Sequence, residues 1–588
     1  MSNSDKIVKV ENFSYVFEGR DEPTLRDISF EIERGSLCVI VGPSGCGKTT
    51  LCDAISGIVP HVYGGRATGR VIVDGLEVSA NPITLLSEKA GKVFQDPEIM
   101  FTMMDAEAEL AFGPENLRRE PQSIIKGIDE VLDYIDLASH RESLVWQMSG
   151  GQMQKLGLGC ILMMKTPIIV LDEPTSNLDP LATESVHSLV LRLRAEGSTV
   201  ILVTKELDEF VAQADQLLVL NEGRLESDGP PRSVIMEHGQ YLMDNLGIWL
   251  PEVSELGVLL AGEGVIRTAD IPLTVQEAAD VVHSIDIRFN GIGPKQGRRS
   301  ESTENGLAKP ETLVSGRDIF FEYPGGHQAL KGVSFDVRRG DLLAIIGRNG
   351  AGKTTLAKML VGLLQPTSGD LTILGRRAEK WKLKNLVRHV GLVFQNPEHQ
   401  FLTDSVFDEV AYTFLAQGTA GPDEVEERVN EILDALDLQD VAGDHPFALS
   451  AGKKRRLGVG TMLGANPEIL IVDEPTYGQD KAMTRSLIDL LKRLQAQGTT
   501  LVMITHDMRL VEESADRVIV MNRGHITYDG PPKDLFHRLE LLHEASLKPT
   551  ALQKLLSELA RDGHRLPPDL KSVEDLVGAI DAARLRKD

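Results

Sequence analysis

Four short runs of unbroken apolar residues mark the chain: Leu37–Val41, Ile168–Leu171, Leu342–Ile346 and Ile469–Val472. Runs of this length without polar alternation predict strands buried on both faces, as in a parallel sheet covered by helices. The first and third runs lead into a glycine-rich loop that opens a helical segment, and the second and fourth lead into two consecutive acids. The segments that begin at Leu246 and at Leu547 resemble one another and predict a small helical tail on each half. Arg288–Pro310 is polar and rich in Gly and Ser, which predicts a flexible tether with a reach of about 25 Å. No apolar run approaches the roughly 18 residues of a membrane-spanning helix, and the N-terminus lacks the apolar core of a signal peptide. A cytoplasmic chain is expected.

The apolar runs occur twice because most of the chain does. Lys48 and Lys353 are 305 residues apart, Gln95 and Gln395 are 300 apart, and both Ser149/Ser450 and Glu173/Glu474 are 301 apart. So steady an offset describes a tandem duplication. The division it predicts is a first domain over 1–245 with its tail over 246–287, a linker over 288–310, and a second domain over 311–545 with its tail over 546–588.

Each copy carries G-x-x-x-x-G-K-[ST], at Gly42–Thr49 and at Gly347–Thr354. Placed between a strand and a helix, this loop wraps a phosphate in backbone N–H groups at the positive end of the helix dipole. Gly42, Ser44, Gly45 and Gly47 form the first cradle, and Gly347, Asn349, Gly350 and Gly352 the second. Lys48 and Lys353 are placed to meet the β- and γ-phosphates. Thr49 and Thr354 are placed to hold Mg²⁺, and Thr50 and Thr355 follow in the binding segment. Asp172 and Asp473 end their strands at the C-terminal edge, where ligands bind in α/β sheets, and suit Mg²⁺ through water. Glu173 and Glu474 follow them, each able to polarise a water for attack on the γ-phosphate.

The 588 residues carry a net charge of −25, which argues against a broad nucleic-acid surface. The four cysteines lie in the first half without a C-x-x-C pair, so neither a zinc site nor a disulfide framework is expected. Cys46 sits at a helix start beside Lys48, two features that favour thiolate; it reads as a small filler residue rather than a redox device, and as a chemical handle for a maleimide. The basic run Lys453–Arg456 reads as the solvated face of a helix or as part of the site.

With these motifs, M-S-G-G-Q at Met148–Gln152 resembles the signature segment of ATP-binding cassette (ABC) ATPases. Gln95 and Gln395 resemble that family's Q-loop glutamines, which also reach the metal. S-N-L-D, ending in Asp179, and Y-G-Q-D, ending in Asp480, resemble its D-loops. His506 in I-T-H-D resembles its switch histidine. Tyr323, and Phe17 at the matching place, resemble the aromatic that stacks on adenine. The resemblance implies an α/β fold of two tandem P-loop nucleotide-binding domains, each with a helical signature subdomain. It implies ATP and Mg²⁺ as cofactors and hydrolysis as the reaction. It also implies head-to-tail pairing of the two domains, with ATP held between one phosphate loop and the other domain's signature.

The two halves depart from the family pattern in different places. The second signature reads Ser450, Ala451, Gly452, Lys453, where the first has Ser149, Gly150, Gly151, Gln152. Alanine is costly there if the position requires a positive φ. Lys205 stands where the first half should have a switch histidine, and lysine cannot relay a proton at neutral pH as imidazole can. Head-to-tail pairing would bring both departures into one site, made by Lys48, Glu173 and Lys205 with the second signature. The other site, made by Lys353, Glu474 and His506 with the first signature, would follow the pattern throughout and perform most of the hydrolysis.

The stretches F-Q-D-P-E-I-M-F and E-L-A-F-G-P-E-N-L, with F-Q-N-P-E-H-Q-F and E-P-T-Y-G-Q-D in the second half, resemble ATPases of energy-coupling-factor (ECF) importers. That resemblance implies a peripheral place on the cytoplasmic face of the membrane. The implied partners are a transmembrane coupling protein and a substrate-binding membrane protein, with Met100–Met104 and Phe401 near the coupling helices. The cargo would be a vitamin, a vitamin precursor or a transition-metal ion. Alternative roles are a soluble tandem ABC ATPase acting on ribosomes or DNA, and the ATPase of an exporter. The charge and the absence of basic arms weigh against the first of these.

Overall fold

The computed structural model describes residues 5–176, 178–205, 207–285, 311–418, 421–476, 481–567 and 570–584, without the side chains of Gln417, Pro422, Asp423, Ala451 and Ala482. The expected linker over 288–310 and Asp480 therefore lie outside the described residues. The chain divides into two compact units, Met1–Ile287 and Arg288–Asp588.

In the first unit a six-stranded sheet runs in the order Arg224–Gly229, Gln216–Asn221, Leu37–Val41, Thr199–Val203, Ile168–Asp172, Ala90–Val93. All its pairings are parallel except that of the edge strand Arg224–Gly229. A second, antiparallel sheet holds Leu25–Glu33, Lys6–Val16, Arg66–Val73 and Leu76–Glu77 in that order. The unbroken apolar run Leu37–Val41 is explained by what lies on its two faces. Leu37, Val39 and Val41 enter one core with the helices Ala106–Asn116, Pro121–Tyr134 and Gly150–Met164, while Cys38 and Ile40 enter another with the antiparallel sheet.

The second unit repeats this plan. Its six-stranded sheet runs Val390–Val393, Ile469–Asp473, Thr500–Ile504, Leu342–Ile346, Arg517–Asn522, His525–Gly530. Leu342, Ala344 and Ile346 face one core and Leu343 and Ile345 the other. The fall in repeat offset from 305 to 300 lies just after the phosphate-loop helix, where the first unit alone has the short helix Ile58–His61 before its next strand. The tails are helical: Glu252–Gly262 and Val275–Ser284 in the first unit, Ala551–Arg561 and Val573–Arg584 in the second. They are not detached, since Leu246, Ile248, Leu250 and Val258 belong to the same core as the main sheet, and Thr550 donates to the buried Glu512 at 2.8 Å.

The loop glycines do two kinds of work. At Gly347, φ is +142° and a Cβ would lie 2.0 Å from the backbone oxygen of Met521, so the strand Arg517–Asn522 passes too close for any side chain. At Gly350, φ is +76° but a Cβ would meet nothing within 4 Å. Gly350→Ala should therefore cost only the left-handed strain, about 1–2 kcal/mol. Gly347→Ala must also shift a core strand and should cost at least about 1–3 kcal/mol more. Thermal unfolding of the two variants without nucleotide checks the order.

Candidate nucleotide site

In both units the phosphate loop is built as expected and closes on its own lysine. Gly47 and Gly352 cap the helices Lys48–Ile55 and Lys353–Leu360 in the left-handed conformation, at φ of 107° and 102°. Lys48 Nζ donates to the carbonyls of Gly42 and Pro43, both at 2.8 Å, and Lys353 Nζ to those of Gly347 and Arg348 at 2.6 and 3.1 Å. Both lysines are buried, so each ammonium has been moved to the loop and needs acceptors there. Phosphate oxygens are the stronger acceptors for a lysine so placed.

The two acids at each strand end face different tasks. Thr49 Oγ1 lies 3.4 Å from Asp172 Oδ1, so hydroxyl and carboxylate oxygens converge as a hard-oxygen pair suited to Mg²⁺. Among the described residues no group of three or more His, Cys, Asp or Glu is placed to hold a metal ion by itself. Glu173 and Glu474 leave the sheet with φ of +46° and +50°. Their N–H groups bond Val203 and Ile504 across the strand at 3.0 and 2.8 Å. Such left-handed non-glycine residues carry strain of order 1–3 kcal/mol and concentrate at functional sites. Nothing in the spelling of the motif announces this feature.

In the second unit a cavity of about 270 Å³ is lined by Tyr323, Gly350, Lys353, Gln395, Asp473 and Glu474 among others. The Tyr323 hydroxyl bonds Thr355 Oγ1 at 3.1 Å, which ties the expected adenine-stacking ring to the phosphate-loop helix. Ser450, Gly452 and Lys453 do not line this cavity. His506 Nδ1 is 2.9 Å from Glu474 Oε1. Burial works against charge on both groups, yet each holds the other ionised. Glu474 is lowered and His506 raised from their ordinary values. Burial, reinforced by the Glu474 charge, pushes Asp473 up to about 6.

The first unit answers with a different network. Glu173 Oε2 takes the ammonium of Lys205 at 3.0 Å and the amide of Gln95 at 2.9 Å. Phe17 stands edge-on to Tyr15 at 4.8 Å and 6.4 Å from Tyr63, whose ring comes from the segment special to this unit. Tyr63 is a candidate neighbour of the base that sequence reasoning did not single out, because its segment has no counterpart in the other half.

Ser149 caps the helix Gly150–Met164 in a full capping box with Gln152. Ser450 caps Ala451–Leu463, accepting from the Lys453 N–H at 3.5 Å. Gly150, the counterpart of Ala451, is the first helical residue, and a Cβ there would meet only Leu178 at an ordinary 3.7 Å. The positive φ that would make alanine costly is thus not found at Gly150. Asp179 caps the helix Pro180–Ala195 through the Ala182 N–H at 3.0 Å.

Two further expectations need correction. Lys453–Arg456 is not a solvated face: Lys453 and Lys454 pair with Asp440 and Glu398, both at 2.6 Å, and Arg456 with Asp437 at 3.1 Å. Arg455 is buried and donates to the carbonyls of Asp473, Glu474 and Gln395 at 3.2, 2.6 and 2.7 Å. It fastens the helix Ala451–Leu463 to the turn at Asp473 and Glu474, a role that a basic run does not reveal. Cys46 is likewise buried, and burial pushes its thiol up despite Lys48, so it is a filler residue and a poor maleimide target. In the Met-rich segment, Met100 packs against the core and Met104 is exposed, while Phe401 is buried.

Loop, acids and polarising partners define a nucleotide-hydrolysing P-loop enzyme. The sequence profile described as ABC transporter matches residues 25–176 and 330–477. An ABC transporter ATP-binding protein, so named, from Caldanaerobacter subterraneus subsp. tengcongensis is 33% identical over 98% of this chain and 99% of its own. A Bacillus subtilis protein named as an HMP/thiamine import ATP-binding protein is 35% identical over 91% of this chain and 93% of its own. Among solved structures, cbiO1 from Clostridium perfringens, described as part of the ABC transporter complex cbiONQ, is 29% identical. It covers 42% of this chain and 99% of its own, with a TM-score of 0.37. The chain belongs to the ABC transporter family, as an ATP-binding ATPase with two such domains in tandem. No helix among the described residues is long and apolar enough to cross a membrane.

The His506–Glu474 pair makes a signed prediction. In histidine-labelled protein, His506 should titrate above its ordinary 6.5. In Glu474→Gln the two upward contributions of the glutamate are lost while burial still opposes the charge, and the midpoint should fall below that of the parent. NMR titration of both proteins reads this directly.

Proposed function

We propose that this chain is the ATPase of an ECF-type membrane importer and that its two composite ATP sites are unequal. Support for the import role comes from the ECF-like segments after both Q-loops, together with the near full-length relative named for HMP/thiamine import. In this reading the chain sits on the cytoplasmic face of the membrane. It works with a transmembrane coupling protein and a substrate-binding membrane protein that selects a vitamin, a vitamin precursor or a transition-metal ion. The net charge of −25 speaks against ribosomes or DNA as the partner.

The inequality is carried by one contrast: His506 pairs with Glu474, whereas Lys205 pairs with Glu173. A glutamate that must polarise water is useful when its partner can exchange a proton near neutral pH, as imidazole can. A lysine bound to the same carboxylate neutralises the base and offers no proton exchange. Thr354, Asp473 and Gln395 would hold Mg²⁺ in the second unit, as Thr49, Asp172 and Gln95 would in the first. When bound, the ion offsets charge on the β- and γ-phosphates. Tyr323 and Phe17 would take the adenine of each nucleotide. The two domains would pair head to tail, so that Ser149, Gly150, Gly151 and Gln152 complete the hydrolytic site. Ser450, Ala451, Gly452 and Lys453 would complete the other, with Asp179 and Asp480 in the D-loops between them. Fusion in one chain raises the effective concentration of each domain for the other.

Glu474→Gln should lower steady-state ATPase activity by on the order of 10²–10³, as loss of a general base does. Glu173→Gln should leave most of it, and equal losses would sink the inequality. Affinity purification from detergent-solubilised native membranes should recover a small integral coupling protein with a second, substrate-binding membrane protein. Recovery of ribosomes or nucleic acid without any membrane protein would overturn the import role.

A further inference from the structure

Beneath the acid that ends the strand Ile168–Asp172 lies a buried charged cluster that the second unit does not repeat. Lys92 Nζ pairs with Asp53 Oδ1 at 2.7 Å and with Asp172 Oδ2 at 3.1 Å, and the three side chains are only 2%, 7% and 2% exposed. The ammonium also lies 4.9 Å from the centre of the Phe94 ring. Lys92 is carried by the strand Ala90–Val93, opposite Val170, and Asp53 is the sixth residue of the phosphate-loop helix.

The second unit is a natural control. Leu392, opposite Ile471 in the strand Val390–Val393, occupies the place of Lys92 and is buried in apolar core. Lys358, the sixth residue of the helix Lys353–Leu360, occupies the place of Asp53. The same strand, loop and helix therefore fold without the triad. Buried ion triads are poor sources of stability, since well-packed apolar groups usually serve as well. A triad kept against that alternative, and joined to the acid at the site, points to a role in the site.

We propose that Lys92, held by Asp53, is a positioning residue that fixes the Asp172 carboxylate for Mg²⁺·nucleotide in the first unit. Lys92 takes Oδ2 from the buried side. Oδ1 is left 3.4 Å from Thr49 Oγ1, a hydroxyl proposed above as another ligand of the ion. Asp53 balances the lysine, so the charge of Asp172 remains directed at the ion. A carboxylate already held in its binding orientation loses little freedom when the ion arrives, as with the outer-shell partners of metal ligands in general. The first unit would thus retain Mg²⁺·ATP, while Asp473 in the second unit has no such ammonium bound to it among the described residues. The inference rests on Asp172 as the metal-side acid of the proposed site and not on the importer assignment.

The test uses the full chain with Lys353→Ala, so that mant-ATP fluorescence reports the first unit, titrated with MgCl₂ and repeated in EDTA. Lys92→Leu/Asp53→Lys installs the second unit's residues. The Mg²⁺ concentration for half-maximal binding should rise about tenfold or more, the usual loss when an outer-shell partner is removed. Binding in EDTA and the melting temperature should stay unchanged. An unchanged Mg²⁺ dependence would overturn the proposal, as would a parallel loss with and without Mg²⁺, which marks a merely structural role. Should this variant not fold, the reciprocal Leu392→Lys/Lys358→Asp, read in the second unit on a Lys48→Ala background, decides. Its Mg²⁺ requirement must fall, and no change refutes the role. Failure of the parent Lys353→Ala chain to bind mant-ATP at all would count instead against the proposed nucleotide site.

Discussion

A carboxylate at the end of a strand buried on both faces is the constraint around which each unit is arranged. Asp172 and Asp473 are almost wholly buried because Ile168–Asp172 and Ile469–Asp473 lie one strand in from the edge of a largely parallel sheet covered on both sides. An isolated carboxylate in that position is costly, and the cost is met locally by whatever cation or hydroxyl the neighbouring strand and loop can supply. The neighbours differ between the units. In the first they are Lys92 and Thr49, at 3.1 and 3.4 Å from its two carboxylate oxygens. In the second, burial and the Glu474 charge outweigh the charges of Lys353, Arg455 and Lys358, and the acid is pushed upward. One architecture thus places the same residue in two electrostatic settings.

The following glutamates show the same divergence one residue further on. Both leave the strand in a left-handed conformation that alanine or leucine would resist equally, so the backbone geometry is shared. What differs is the side chain that reaches across from the next strand end. Lys205 and His506 occupy equivalent places, yet only the second gives the carboxylate a partner whose proton is exchangeable near neutral pH. Arg455 adds a mechanical difference. It ties the signature helix of the second unit to the backbone of both Gln395 and Glu474, where the first unit has Gln154 with one long bond to the Gln95 carbonyl at 3.4 Å. Sequence duplication has conserved the frame and let the contacts under the acids diverge.

Most of the frame was legible in the residues alone. Unbroken apolar runs predict strands with two covered faces, and they are found with alternate residues in two cores, because a period of two must fill both sides of a sheet. The loop glycines and their lysines are local chemistry: positive φ at Gly47 and Gly352 and lysines folded onto loop carbonyls follow from a spacing of a few residues. Signature serines at helix starts are likewise short-range, since a cap is defined by the three residues that follow it.

What the linear order could not disclose is which distant side chains meet beneath these motifs. Lys453–Arg456 reads as a charged surface but is absorbed by Asp440, Glu398, Asp437 and a set of backbone carbonyls. Cys46 beside Lys48 reads as reactive, yet the packing of the first unit removes it from water, and desolvation outweighs the nearby charge. Lys92 sits in a strand that is otherwise apolar, and the hint it gives acquires meaning only when Asp53 and Asp172, 39 and 80 positions away, are folded against it. By itself, then, the sequence determined the duplicated P-loop frame and the family, and pointed to the residues proposed to meet phosphate, metal and water, because these depend on local spacing and periodicity. Only the tertiary structure decided how each acid is charged and held, because burial and ion pairing depend on contacts between residues far apart in the chain.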